Sequence, residues 1–579
     1  MRTTLAVAVL TLTCDIAGAQ GLRTTPERIP AKRSSQIADG FGVNSPLPRD
    51  PWLPWNRRWW TRMYDGGFNW VRLGQYENSS DKTSWDWVEQ NRGVLRVPAD
   101  VDDYIDWLVD NGVNIQLQLC YGNPMYTGMA GKPPDSILPA TGTSHADDGG
   151  IYSIYRGPNT PEQIAAFNRY AKYMILHYKG RIKYYELWNE PNAHFWHPQG
   201  NAEEYGRLLG AFAKTLRETD PNARIVVAGQ GSPNRDFAKR VLDACQCAAD
   251  VDVWAYHTYV TFGANSPPEQ MDAGENSSSD FRKFIRSYPG IRRDLIFWDD
   301  EFNCPPSWRN SDESVQNRYL PRGVVYNWAN GVRTFVWQLT SATEGNEFDY
   351  YGLIHGLAYR PIDFEALPVF SSLQNTNYIF SDTKADAGMR ISGPPQGLPA
   401  EAPLHAYGFR SRSGKAVVAY WLAAYAEPGK ETPPVEADLV IENSGIVHPV
   451  LIDITTGRLT PLQWMPGTKD TVRVPYRDSL MAVADESYFD WPVLPEAPSS
   501  LNAAIRHGRA DLSWDVNDAT QGIVIEKRVG TKWEQIAKLT SPARRYTDAT
   551  YRRGIPAVYR VRAINGSGTS ASSNLAGVK

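Results

Sequence analysis

Between Ile37 and Phe380 short, mostly apolar runs alternate with longer stretches in which apolar residues recur every three to four positions. The short runs are Gly40–Asn44, Phe68–Arg72, Asn114–Leu119, Ile182–Trp188, Arg224–Gly229, Asp252–His257, Leu295–Trp298 and Arg333–Trp337. Several end in polar residues. The longer stretches Val101–Asp110, Pro161–Tyr178, Ala202–Thr219 and Ser314–Ala329 have the period of amphipathic helices. Strand and helix in strict alternation predict a parallel α/β fold. Eight strands, with helices between them, is the count for a closed (β/α)8 barrel, and the span is long enough for one.

After Phe380 the helical period stops. Alternating runs follow at Leu404–Arg410, Ala416–Leu422, Ala437–Ile441, Val450–Ile454, Thr471–Val474 and Ser479–Ala484, divided by turns such as Ser413-Gly414 and Thr456-Gly457. They predict a β-sandwich over 381–492. A proline-rich joint, Trp491 to Pro498, opens the last segment, 493–579. There Ala510–Trp514 and Ala557–Ala563 resemble the core-tryptophan and Tyr-x-Val strands of a fibronectin type III module, a likeness covering about Ala497 to Val578.

The barrel is assigned to 20–380, because residues 1–19 read as a signal peptide. Arg2 gives the positive start, Leu5 to Thr13 the apolar stretch, and Ala17-Gly18-Ala19 a small-residue cleavage site. A secreted or periplasmic location is the expectation.

At 579 residues the chain is too long for one core. A formal charge of -4 gives no reason to expect nucleic acid or an anionic membrane as partner, and no segment is long enough for membrane insertion. The 20 Trp and 30 Tyr change the picture more. Aromatic faces stack on the apolar C–H faces of sugar rings, so the excess suits a carbohydrate protein, with at least half kept for packing. Cys120, Cys245, Cys247 and Cys304 are too few for a disulfide framework and allow one bridge at most. Cys245-Gln246-Cys247 has no histidines nearby, so neither a metal nor any other cofactor is expected. Nothing in the sequence speaks to oligomeric state.

The chemistry concentrates in Tyr184-Tyr185-Glu186-Leu187-Trp188-Asn189-Glu190-Pro191-Asn192. The fourth strand breaks at a proline and leaves Asn189 and Glu190 at its carboxyl end, the face where barrels place their reactive groups. Cleaving a glycosidic bond needs two carboxyl groups, about 5–5.5 Å apart when the anomeric configuration is retained. The partner predicted for Glu190 is Glu301, at the end of the seventh strand, with Asp299 and Asp300 as competitors.

At this point the sequence resembles the clan A glycoside hydrolases, and Trp188-Asn189-Glu190-Pro191-Asn192 looks most like family 39 and its neighbours. The resemblance covers about Ile37 to Phe380 and implies a TIM barrel. It implies Glu190 as general acid/base, Glu301 as nucleophile, and Asn189 on the sugar 2-hydroxyl. It further implies Arg72 paired with the nucleophile, His257 and Tyr259 as the clan's His-x-Tyr, and Trp337 as a platform beneath the sugar.

Further subsites are expected at Tyr121 and Tyr126 after the third strand, at His194 and Trp196 after the fourth, at Trp308, and at Trp52, Trp55, Trp59 and Trp60. The run 343–347 is another candidate, and the long segment 121–159 would wall the pocket. The expected activity is retaining hydrolysis of a plant or microbial oligo- or polysaccharide, as by a β-xylosidase or a glucanase. The alternative is a non-catalytic carbohydrate-binding or adhesion protein on a degenerate barrel.

Overall fold

The computed structural model describes residues 25–45, 61–74, 82–128, 156–259, 266–273, 277–306, 311–340, 351–355, 365–394, 396–517, 519–530 and 532–579. Residues 1–19, read from the sequence as a signal peptide, together with Trp52, Trp55, Trp59, Trp60, Trp308, residues 343–347 and most of the segment after the third strand, lie outside the described residues.

Eight parallel strands close a barrel in sequence order: β1 (Gly42–Asn44), β2 (Trp70–Leu73), β3 (Asn114–Leu119), β4 (Tyr184–Leu187), β5 (Arg224–Gln230), β6 (Val253–Tyr259), β7 (Ile296–Asn303) and β8 (Val332–Val336). β8 returns to pair with β1, Phe335 opposite Gly42. The helices packed around them begin where the sequence supplies side-chain acceptors. Thr160 caps Pro161–His177 in a reciprocal box with Gln163, Asn201 caps Ala202–Thr219, Asn234 caps Arg235–Cys245, and Asp312 caps Glu313–Ala329. Each such cap contributes about 1 kcal/mol. Among the described residues, no helix is long and apolar enough to cross a membrane.

Successive side chains of a strand point to opposite faces, so residues two apart share the barrel interior. The amino-terminal half of that interior is filled by Trp70, Val226, Val253, Ala255, Trp298 and Phe335, with Tyr184 beside them. The Trp70 and Trp298 rings meet edge to face at 5.3 Å, and the Arg333 guanidinium lies 4.2 Å from the Trp70 ring centre. Gly42 makes this layer possible, since a Cβ there would stand 2.2 Å from the Phe335 ring. Two residues further along the same strands come Asn44, Arg72, Glu186, His257 and Asp300, all buried. Aromatic plug gives way to charge within one step of the alternation.

Beyond the barrel the strands are antiparallel. A six-stranded sheet, ordered Thr383–Ala385, Leu404–Ser411, Ala416–Leu422, Met481–Asp485, Pro449–Asp453 and Leu459–Pro461, shares a core with a three-stranded sheet of Arg390–Ser392, Val435–Glu442 and Thr471–Tyr476. Strand Ala416–Leu422 is buried along its whole length. Val418, Tyr420 and Leu422 face the smaller sheet, while Val417, Ala419 and Trp421 join the core of the barrel. Arg322 from the helix Glu313–Ala329 forks onto Glu269 at 3.0 and 2.6 Å, and Trp421 Nε1 donates to the same carboxylate at 2.7 Å.

The last region pairs a three-stranded with a five-stranded antiparallel sheet around Leu512, Trp514, Ile523, Tyr559 and Val561. It is seated on the barrel helix Ala99–Asp110. Trp107 Nε1 donates to the Ser572 and Ser573 carbonyls at 3.2 Å, and Arg560 and Arg528 pair with Asp110 and Asp103 at 2.8 and 2.5 Å. Cys245 and Cys247 are joined in a disulfide, while Cys120 and Cys304 are buried.

Candidate active site

The charged layer is organised around Arg72. A guanidinium has five N–H donors in a fixed plane. Nε and Nη2 fork onto Glu186 at 2.7 and 2.8 Å, Nη2 also reaches Asn189 Oδ1 at 3.0 Å, and Nη1 reaches Glu301 Oε1 at 2.7 Å and Asn44 Oδ1 at 3.2 Å. All five donors are thereby engaged. Gln116 Nε2 ties Glu186 to Asp300, with 2.8 Å to each.

Because Arg72 only donates, the Asn189 atom facing it is the oxygen. That leaves Asn189 Nδ2 buried and without a hydrogen-bond partner among the described residues. A fully buried donor in that state is costly unless another molecule accepts from it.

Glu190 sits just past β4, where the backbone turns sharply. Trp188 and Glu190 have φ of 72° and 38°, the left-handed region that non-glycine residues rarely occupy. Such conformations cost about 1 kcal/mol or more and persist where the surroundings hold them. Glu190 N donates to the Gly229 carbonyl at 2.9 Å, and Gly231 leaves the carboxyl room, its missing Cβ lying 3.1 Å from Glu190 Cδ.

Glu301 is aimed by an irregularity in β7. The β6–β7 ladder pairs Tyr256 with Asp299 and then His257 with Glu301, so Asp300 is an extra residue. A bulge of this kind breaks the alternation. Asp300 and Glu301, though consecutive, both reach the interior network, while Asp299 turns outward to Thr258 and to Asn327 Nδ2 at 2.9 Å. Tyr259 OH donates to Glu301 Oε2 at 2.7 Å. His257 Nδ1 lies 2.6 Å from Glu190 Oε1 and 3.4 Å from Glu301 Oε2.

One oxygen from each glutamate and one ring nitrogen of His257 all lie within 4.8 Å of one another. These three residues are of types that can ligate a cation. Both Glu301 oxygens are already held by the Arg72 and Tyr259 donors.

The electrostatics follow from burial and this wiring. Burial raises the Tyr259 hydroxyl well above its usual pKa and the Glu301 charge adds to it, so the phenol stays a donor. Burial also pushes the Glu186 carboxyl up, against the pull of Arg72. For Asp300 burial is overcome by Arg72 and His257, which hold it below the usual carboxylate range. For its neighbour Asp299 burial outweighs the Thr258 and Asn327 hydrogen bonds and pushes the carboxyl to about 8.

The predicted residues Glu190, Glu301, Arg72, Asn189, His257 and Tyr259 are thus brought together. Tyr121 is buried edge to face against Trp188 at 5.2 Å and lies within electrostatic reach of both glutamates. Trp337 is half-buried just after β8, its backbone N–H donating to the Phe302 carbonyl. Trp196 is corrected: it is 1 % exposed, its indole N–H is bonded to Glu204, and its ring packs 5.0 Å from Trp188. It supports the strand end rather than presenting a face to substrate. Tyr126 likewise stacks on Trp85, and His194 is exposed against Phe195. Sequence reasoning missed Glu186, Gln116 and Asn44, and gave Asp300 only a competing part; polar residues at the inward parity of apolar strands were the available signal.

A family model described as Glycosyl hydrolases family 39 matches residues 166–346, the span that carries both glutamates. The protein is a glycoside hydrolase. Its fold is similar to that of a family 39 glycoside hydrolase from Bacteroides cellulosilyticus WH2, with a TM-score of 0.56 and 17% identity over 79% of this chain and 83% of that one. It is also similar to an α-L-arabinofuranosidase from Thermotoga maritima, with a TM-score of 0.50 and 12% identity over 79% of this chain and 98% of that one. No curated protein sequence matches this glycoside hydrolase.

Proposed function

We propose that the enzyme retains anomeric configuration by double displacement, with Glu301 as nucleophile and Glu190 as general acid and then general base. The observation that carries this reading is the closeness of the two carboxyl groups, with one oxygen of each inside the 4.8 Å cluster. Inversion needs about 6.5–9.5 Å, to admit a water between sugar and base. The two groups are also differently served. Glu301 accepts from Arg72 and Tyr259, which favours the anion that attacks the anomeric carbon. Glu190 is only 15 % exposed and touches no arginine or lysine among the described residues, the setting of a group that carries a proton to the leaving oxygen.

Attack by Glu301 breaks the glycosidic C–O bond as Glu190 protonates the departing oxygen. Water then gives a proton to Glu190 and displaces the sugar from Glu301. Asn189 Nδ2, buried without a partner among the described residues, donates to the 2-hydroxyl, and Trp337 and Tyr121 line the sugar's ring faces. The substrate is a β-linked plant or microbial oligo- or polysaccharide of the kind cut by xylosidases or glucanases. The two antiparallel regions act as a β-sandwich and a fibronectin type III module, a reading supported by their shared cores, and the N-terminal segment directs export.

The test is hydrolysis of aryl β-glycosides and of xylan and glucan fragments by parent and Glu301→Gln, with the first-formed anomer followed by NMR. Activity lost in the variant, and the substrate's own anomer appearing first in the parent, are expected. Equal activities reject Glu301 as nucleophile, and the opposite anomer rejects retention.

A further inference from the structure

Beneath the two glutamates lies a fully buried pair that the double displacement itself does not use. Asp300 Oδ1 and His257 Nε2 approach each other to 3.4 Å as an ion pair, and neither atom has a hydrogen-bond partner among the described residues. The approach depends on Gly229 of β5, where a Cβ would stand 2.0 Å from His257 Nε2 and 2.7 Å from Asp300 Oδ1. On its other edge the same ring offers Nδ1 to Glu190 Oε1 at 2.6 Å.

We propose that Asp300 is a positioning residue for the proton transfer, acting through His257 to fix which oxygen of Glu190 carries the proton. This rests on the double-displacement reading above.

A neutral imidazole has one N–H and cannot donate on both edges; the imidazolium can. The groups facing the ring are acidic: Asp300 and Glu301 from β7, Glu190 past β4, Glu186 within β4, and Asp299 behind, the last held protonated by burial. Tyr259 lies on the ring's own strand, and Arg72 of β2 stands beyond Asp300 at 3.5 Å. Burial opposes a charge on the ring, but the Glu301 charge and the contacts to Asp300 and Glu190 outweigh it and raise the ring's pKa well above the usual histidine value. With Nδ1–H donating to Oε1, the carboxyl proton of Glu190 is confined to Oε2. That proton passes to the leaving oxygen as the C–O bond breaks, and the imidazolium remains to stabilise the carboxylate left behind. In the second step the carboxylate takes a proton from the attacking water, and Oε2 is again its place.

Asp300→Asn keeps the shape and removes the charge. On an aryl glycoside hydrolysed by the parent, the alkaline limb of kcat/KM is expected to move to lower pH by about one unit or more. KM at the optimum should change less than kcat. A merely structural role lowers activity evenly across pH, and an alkaline limb left in place overturns the proposal. Should the variant fail to fold, the ring signals of His257 in the parent decide, assigned by their loss in His257→Gln. A ring still doubly protonated at pH 8 supports the proposal, and one titrating near 6.5, the ordinary value, overturns it. A parent that hydrolyses no glycoside rejects the double-displacement reading, while the ring titration still reports whether Asp300 holds His257 charged.

Discussion

The two halves of the barrel interior are built from the same strands and do opposite things. Below, Trp70, Trp298, Phe335 and Tyr184 close against one another and exclude water. One alternation higher, Arg72, Asp300 and Glu186 occupy corresponding positions and hold a network of charge. The lower layer is held by ring contacts, and the upper by charge-assisted bonds about Arg72. The plug serves the second layer, because apolar packing beneath it lowers the local dielectric and strengthens each bond there.

Breaking the upper layer is expected to give the largest effect. Arg72→Lys keeps a charge but cannot fork. It leaves Glu186, Asn189 and Glu301 competing for one ammonium, and kcat on an aryl glycoside should fall by about 10³-fold. A fall of less than tenfold would make Arg72 a packing residue. Breaking the lower layer should show the reverse signature. Trp70→Ala opens a cavity and is expected to cost about 3–5 kcal/mol in denaturant unfolding, with KM of the folded enzyme little changed. A selective rise in KM would connect the plug to substrate.

The two aspartates at the start of the bulge sharpen the contrast through pH. Asp299, pushed by burial to about 8, keeps its proton in the fold while the unfolded chain loses it near the ordinary 3.8. The stability tied to that proton is full below pH 3.8 and is lost as pH rises towards about 8. Asp299→Asn should therefore gain on the parent in thermal midpoint between about pH 4 and 8. A constant difference across that range would show that Asp299 is already ionised in the fold. The smallest effects distinguish two tryptophans. Trp337→Ala should raise KM by about tenfold, an increment of about 1.4 kcal/mol, with little change in melting. Trp196→Phe should cost about 1 kcal/mol of stability, the worth of its bond to Glu204, and leave KM alone.

Much of this was legible in the chain because strand and helix periods differ and the caps are explicit. β3 and the helix Ala202–Thr219 begin and end where their periodicity does. What escaped has physical causes. Periodicity assumes strict alternation, so the extra residue in β7 hid the fact that Asp300 and Glu301 both turn inward and extended the strand to Asn303. Attention to strand ends passed over Glu186, a carboxylate in mid-strand whose only tolerable reason is the guanidinium across the barrel. Trp196 follows a catalytic strand as a subsite residue would, and only the Glu204 partner and the close Gly157 backbone show it turned inward. The helix Pro368–Phe380 was not singled out either, because its value lies in what it covers, nine of its thirteen residues being buried.

Strand Ala416–Leu422, sealed on both sides, has a consequence for how such an enzyme can be cut or recombined. Its two rows of side chains belong to different neighbours, so an excised barrel would bare the seat of Val417, Ala419 and Trp421, and an excised sheet would bare those residues themselves. The two portions are therefore poor cassettes: inheritance, expression and engineering must carry them together.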